Sequence, residues 1–233
     1  MYGWRGRIGL ILPSNNTVAE PEIGTELPDG ISLYAAKVLP LDDYADSVRS
    51  MSRQLDAARE ALAFGSMDAI AYGCMMSSVL LGRSWEEEVV ERATMPFATA
   101  GIAMCEELRR LEAERIAIFN TYPRKIAGAV IAYFEAAGFM VVANGGVEQL
   151  GDERAAEELL DLRRVSATNP ADLFRMWADQ PEADTLCILA TDLPTRMVLS
   201  ALRESRGGPV LSTNLAIRSW LLRQCGVSDP RLW

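Results

Sequence analysis

Three segments in the first half of the chain recur in the second half, in the same order and at similar offsets. Arg7-Ile-Gly-Leu-Ile-Leu-Pro-Ser-Asn-Asn-Thr17 is echoed by Arg115-Ile-Ala-Ile-Phe-Asn-Thr-Tyr-Pro123. Asp68-Ala-Ile-Ala-Tyr-Gly-Cys-Met75 is answered by Asp184-Thr-Leu-Cys-Ile-Leu-Ala-Thr-Asp192, and Met95-Pro-Phe-Ala-Thr-Ala-Gly-Ile-Ala103 by Gly208-Pro-Val-Leu-Ser-Thr-Asn-Leu-Ala216. Ordered self-similarity of this kind constrains the fold more than any single element, because each half must then satisfy the same packing rules. At 233 residues the chain is long enough for one sizeable domain or two small ones.

Short apolar runs alternate with amphipathic stretches, the pattern of an α/β protein with parallel sheets. The runs predict strands at Arg7–Leu12, Ile31–Val38, Ala69–Gly73, Pro96–Ala98, Arg115–Phe119, Phe139–Ala143, Thr185–Leu189 and Pro209–Leu211. Helical spacing predicts helices at Ser47–Phe64, Gly101–Glu112, Lys125–Ala137, Ala171–Ala178 and Thr195–Glu204, with Pro170 and Pro194 at two helix starts. The expected fold is therefore α/β, with two pseudo-symmetric Rossmann-like halves and the active site between them. Each half carries a roughly four-stranded parallel sheet flanked by helices. Residues 1–113 form the first half and 114–212 the second, with a C-terminal helix over 213–233 packing back on the first.

In open parallel sheets ligands bind beyond the carboxyl ends of the strands. Those ends carry Ser14–Thr17, Cys74–Ser78, Thr99, Asn120–Tyr122, Ala190–Asp192 and Ser212–Asn214. If the halves face one another, these polar ends converge on one pocket.

The chain contains no histidine, so proton transfer near neutral pH falls to cysteine, carboxylates, lysine or tyrosine. Of the cysteines at 74, 105, 187 and 225, Cys74 alone ends an apolar strand and precedes a polar loop whose amides can favour a thiolate. The competing reading is a small buried residue, which also suits Cys105, Cys187 and Cys225. Ser14, Asn15, Asn16 and Thr17 offer neutral donors for a carboxylate, or equally a turn and helix cap. Tyr122 can donate a phenolic proton or serve as an interface tyrosine. Glu20 and Glu22 read as a solvated helix start, and Glu86-Glu-Glu88 as an exposed helix face.

A net charge of −9 argues against nucleic-acid or anionic-membrane partners but leaves room for a local anion pocket. The scattered cysteines argue against disulfides or zinc, and the first apolar run is too short for a secretory signal. A cytoplasmic protein is expected. No glycine-rich phosphate loop, metal-ligand spacing or Ser-His-Asp order occurs, so neither cofactor nor metal is expected.

Arg7-Ile-Gly-Leu-Ile-Leu-Pro-Ser-Asn-Asn-Thr, Ala71-Tyr-Gly-Cys, Asn120-Thr-Tyr-Pro and Pro209-Val-Leu-Ser-Thr-Asn together resemble the aspartate/glutamate racemase superfamily. Within it the chain is most similar to the maleate cis-trans isomerase and arylmalonate decarboxylase branch. The resemblance implies two pseudo-symmetric domains, a cofactor-free site between them, a homo-oligomer (a dimer) and commonly one cysteine per half. It implies catalytic roles for Cys74, Asn16 and Tyr122, with Ser14, Asn15, Thr17, Ser77, Ser78, Thr191 and Asn214 around a small carboxylic-acid substrate. Two departures stand out. Ala190-Thr-Asp-Leu193 lacks the second-half cysteine, and Met75 and Met76 replace small hydroxyl residues.

The preferred expectation is a cofactor-independent isomerase of a small unsaturated dicarboxylic acid, in which Cys74 adds to the double bond. The alternatives are a malonate decarboxylase or one-base proton-transfer enzyme, and a non-catalytic small-acid binding protein.

Overall fold

The structure is a computed structural model that describes residues 2–25, 27–41, 44–146 and 182–228. Strands and helices are numbered over these residues. Ile8–Leu12 forms the apolar heart of β1 (Gly6–Pro13) and is buried on both faces, as a central parallel strand must be. After α1 (Ala19–Gly24) come β2 (Ile31–Val38), α2 (Tyr44–Ala63), β3 (Ala69–Tyr72), α3 (Met75–Glu91), β4 (Phe97–Thr99) and α4 (Ala100–Arg110). The second half runs β5 (Arg115–Asn120), a single 3-10 turn, α5 (Ala127–Ala136), β6 (Met140–Gly146), β7 (Thr185–Ile188), α6 (Leu199–Arg206), β8 (Val210–Ser212) and α7 (Thr213–Gln224).

The two four-stranded sheets have the orders β2-β1-β3-β4 and β6-β5-β7-β8, every pairing parallel. The repeat read from sequence is thus a repeat of topology, and all eight expected strands are present. Details shared by the two halves are physical. Asp68 accepts the Arg7 N–H at 2.8 Å, and Asp184 accepts the Glu114 and Arg115 N–H groups at 2.8 Å. Each aspartate therefore satisfies backbone donors at the start of its central strand. Thr99 and Ser212 likewise cap α4 and α7, their hydroxyls accepting from Ile102 N and Leu215 N.

One apolar cluster runs from Ile8 and Leu10 through Met104, Leu108 and Phe134 to Leu186 and Trp220, so the halves share a core. A second cluster lies between the outer face of the first sheet and α2, where Val48, Met51, Leu55 and Leu62 recur at helical spacing. α7 packs on α4 and α1, and Arg223 of α7 pairs with Glu106 of α4 at 3.0 Å.

Several expectations need correction. The predicted helix at Thr195–Glu204 begins only at Leu199, because the Thr195 and Arg196 N–H groups are drawn to the Glu22 carboxylate instead of a helix. Glu22 is accordingly no solvated helix start. It also accepts from Asn214 Nδ2 at 2.6 Å and Thr195 Oγ1 at 3.1 Å, tying α1 to the second half. Glu20 does remain at the surface, paired with Lys37 at 2.9 Å. The predicted helix at Ala171–Ala178, Pro170 and the end of the C-terminal segment beyond 228 lie outside the described residues.

The exposed face expected at Glu86–Glu88 holds for Glu87 and Glu88 only. Glu86 is 1% exposed, and its carboxyl accepts from Thr99 Oγ1 and from Tyr133 Oη at 2.8 Å. Burial pushes its pKa up, and the hydroxyl donors oppose that shift. The signal missed is spacing: Glu86 follows the buried Met75 and Val79 at helical intervals, although the non-helical Gly82 (φ 77) interrupts α3 between them. Glu86→Ala strands two buried hydroxyls and leaves a void. It should lower unfolding free energy by about 2–4 kcal/mol in urea titration, with Glu86→Gln costing clearly less.

Candidate active site

The carboxyl ends of β1, β3, β5 and β7 meet in a cleft of about 110 Å³ between the sheets. Cys74 reaches it because β3 stops at Tyr72 and Gly73 turns the chain, with Gly73 N–H still bonded to Ile11 O at 2.8 Å. A side chain at Gly73 would strike Leu12, so the strand end packs this closely only without one. The mirrored bond joins Leu189 N–H to Phe119 O at 2.8 Å. That register makes Ala190 the structural counterpart of Cys74. The backbone at Ala190 is left-handed (φ 87), a conformation side chains rarely adopt, while Cys74 is extended (φ −136).

Cys74 is the N-cap of α3 and 8% exposed. The Ser77 hydroxyl donates to its sulfur at 3.2 Å and is itself bonded to Tyr72 Oη at 3.0 Å. The Ser77 backbone N–H faces the sulfur as well. Burial nevertheless dominates and pushes the thiol pKa up, with the Asp192 carboxylate adding to the rise. The neutral thiol is therefore the resting form near pH 7. Burial similarly raises Tyr122, whose hydroxyl meets the Ala190 N–H. Asp192 is pushed up to about 6 by burial, with only its own backbone N–H opposing the shift.

The remaining wall is apolar. Val48 and Met51 of α2, Pro13, Pro40, Met75 and Met76 line it, so the two methionines that replace hydroxyl residues face the cleft directly. Low polarity around a few polar groups strengthens each electrostatic interaction made there.

Asn16 shapes the seam. Its Oδ1 accepts from Val18 N and Ala19 N at 3.0 Å, starting α1, while Nδ2 donates to Thr191 Oγ1 at 2.9 Å. The Thr191 hydroxyl then donates to Gly73 O at 3.0 Å. One amide N–H of Asn16 remains for a ligand.

The structure brings Cys74, Tyr122, Asn15, Asn16 and Thr191 together at the cleft and leaves other expected residues out of its lining. Ser14 and Thr17 are exposed beside it. Ser77 is fully buried and acts through Cys74, whereas Ser78 faces the core, accepting from Gly101 N at 3.0 Å. These two adjacent serines point differently because they sit on successive positions of a helix. Asn214 lies one layer back, its amide bonded to Glu22 and to Thr191 O at 3.1 Å. It borders a separate cavity of about 220 Å³ beside α6. Sequence reasoning places Asp192 among the strand ends converging on the pocket but assigns it no role; α2 reaches the site only through tertiary packing.

Cys105 and Cys187 are buried in α4 and β7, where burial pushes their thiols up (Cys105 to about 11). Among the described residues no group of His, Cys, Asp and Glu could hold a metal ion, and no helix is long and apolar enough to cross a membrane.

Fold and cleft together define a two-sheet α/β protein with a buried thiol where the halves meet. The chain belongs to the arylmalonate decarboxylase family, whose model matches residues 8–230. Its relatives include the maleate isomerase of Nocardia farcinica, 27% identical over 93% of this chain and 89% of that protein. The maleate isomerase of Pseudomonas putida is 24% identical over 93% of this chain and 90% of that one. Among solved structures, a cysteine-to-serine mutant of the N. farcinica maleate cis-trans isomerase with a covalently bound succinylcysteine intermediate superposes with a TM-score of 0.82. The two chains are 23% identical over 95% of this one and 93% of that one. A liganded double mutant of arylmalonate decarboxylase also reaches a TM-score of 0.82, at 16% identity over 97% of both chains. The resemblance read from sequence holds.

Thr191→Val removes the hydroxyl that links Asn16 to Gly73 across the cleft and leaves both partners unpaired. A loss of about 1–3 kcal/mol is expected in chemical unfolding, with no gain from the added methyl.

Proposed function

We propose that this protein is a cofactor-independent cis-trans isomerase of a small unsaturated dicarboxylic acid, with Cys74 as nucleophile. The observation that carries this reading is the Cys74 thiol at the N-cap of α3, opening into a cleft shared with Tyr122 and Asn16. The maleate isomerases among its relatives support the choice of substrate class.

Thiolate addition to one alkene carbon converts the double bond into a single bond that can rotate. Elimination after rotation then releases the trans isomer. Charge develops on the neighbouring carbon and its carboxylate during addition. The free N–H of Asn16, the Tyr122 hydroxyl and loop amides are the groups positioned to stabilise it. Ser77 holds the sulfur in place and donates to the thiolate once it forms. Among the described residues lining the cleft none is cationic, and those present offer the substrate carboxylates neutral donors. That arrangement favours small acids whose charge can remain partly hydrated at the mouth.

The apolar wall of Met51, Met75 and Met76 supports a second reading, decarboxylation of a disubstituted malonate, in which a carboxylate is destabilised by poor solvation. Carbon dioxide release from such a malonate distinguishes it.

Incubation with maleate and rapid acid quench should give a succinyl mass increment confined to the Cys74 peptide. Cys74→Ser should fold normally by circular dichroism and lose at least about 10³-fold in kcat. Full turnover by Cys74→Ser would exclude the mechanism.

A further inference from the structure

The isomerase reading gives the thiol a use and leaves the carboxylate in the same cleft without one. Asp192 lines the cleft with Cys74 and Tyr122, and its charge acts on both of their hydrogens' acidities. Among the described residues no cation pairs with it; its own backbone N–H is the group that faces it. An unpaired carboxylate opposes binding of an anionic substrate, so its presence there calls for a chemical role.

Among the described residues the cleft offers no alternative proton acceptor. The chain has no histidine, and the residue mirroring Cys74 is Ala190, which carries no ionisable group. Ser77 donates to the sulfur and Tyr122 is held protonated by burial. The titratable groups facing Asp192 are Cys74 at the corner between β3 and α3 and Tyr122 after β5. From α2 the cleft receives Ser47, Val48 and Met51, none of them charged.

We propose that Asp192 is the acid–base partner of Cys74, taking the thiol proton as sulfur attacks the alkene and placing it on the neighbouring carbon. This rests on the isomerase reading. The S–H bond breaks and its proton moves to the carboxylate. A sulfur electron pair forms the C–S bond while the alkene π pair moves to the adjacent carbon. That carbon takes the proton from Asp192, leaving a saturated thioether and a free carboxylate. After rotation Asp192 removes a proton from the same carbon, the double bond re-forms in the trans geometry, the C–S bond breaks with its electron pair on sulfur, and Asp192 returns the proton to sulfur. Nothing is oxidised or reduced, and no co-reactant enters. An arriving substrate carboxylate makes a second ionised carboxylate costlier, which helps the proton leaving sulfur to settle on Asp192.

The test compares wild type, Asp192→Asn and Asp192→Glu with maleate as the probe, each variant first checked for an unchanged circular dichroism spectrum and unfolding midpoint. Asp192 accepts a proton only when ionised, so wild-type kcat/KM should climb as pH rises through about 6. Asp192→Asn should lose that limb and at least about 100-fold in kcat, with partial recovery in Asp192→Glu. Alkylation of Cys74 by iodoacetamide should move the other way. With the neighbouring negative charge gone, the thiolate forms at lower pH and the alkylation profile shifts down. A structural role would not separate the two readouts. An active wild type whose Asp192→Asn variant keeps turnover within about threefold and the same pH limb overturns this proposal alone. A wild type that neither isomerises maleate nor carries a succinyl group overturns the isomerase reading and this proposal with it.

Discussion

The bond chain from Asn16 through the Thr191 hydroxyl to the Gly73 carbonyl is the interaction on which the site depends. The cleft is lined from both halves, by Asn16, Val48 and Cys74 on one side and by Tyr122, Ala190 and Asp192 on the other. Thr191 brings the β7 end of one sheet against the β3 end of the other, and both flanking residues, Cys74 and Asp192, face the space so formed. Its hydroxyl donates and accepts at once, which a methyl cannot reproduce. Glu22 reinforces the seam from behind, gathering donors from Thr195, Arg196 and Asn214 onto one carboxylate. Because these groups are largely buried, each unmade bond costs more than a surface bond would.

Reactivity in the cleft is a balance between burial and donation. Ser77 and the start of α3 favour the thiolate, yet desolvation wins and keeps the resting sulfur protonated. The same desolvation brings Asp192 to about 6. A protein without histidine thereby acquires a carboxyl group that changes charge near physiological pH, where an imidazole would otherwise serve. The apolar wall is part of this balance, since polar residues at Met75 and Met76 would solvate the carboxylate and return it toward its ordinary range.

The two halves match in topology but have diverged in chemistry. Cys74 and Ala190 occupy equivalent places at the ends of β3 and β7, as the paired bonds of Gly73 and Leu189 show. Only the first presents a thiol. Strands carry the symmetry because parallel pairing tolerates side-chain change, whereas the loops after them are free to differ.

The sequence by itself determined the eight strands, the duplicated topology and the position of Cys74, because apolar runs and strand-end turns are local signals. It also carried the absence of histidine and of a second thiol at Ala190. Only the tertiary structure decided which strand-end residues share a cavity. Ser78 and Glu86 read as polar surface or site residues yet turn into the core, where Gly101 N, Thr99 and Tyr133 supply their partners. Asn214 sits one layer behind the cleft and Asp192 within it, although both occupy strand ends in the second half. The start of α6 depends on Glu22, a residue far away in sequence. Facing, burial and the charge state that burial imposes are properties of two segments brought together, and no local pattern in either segment encodes them.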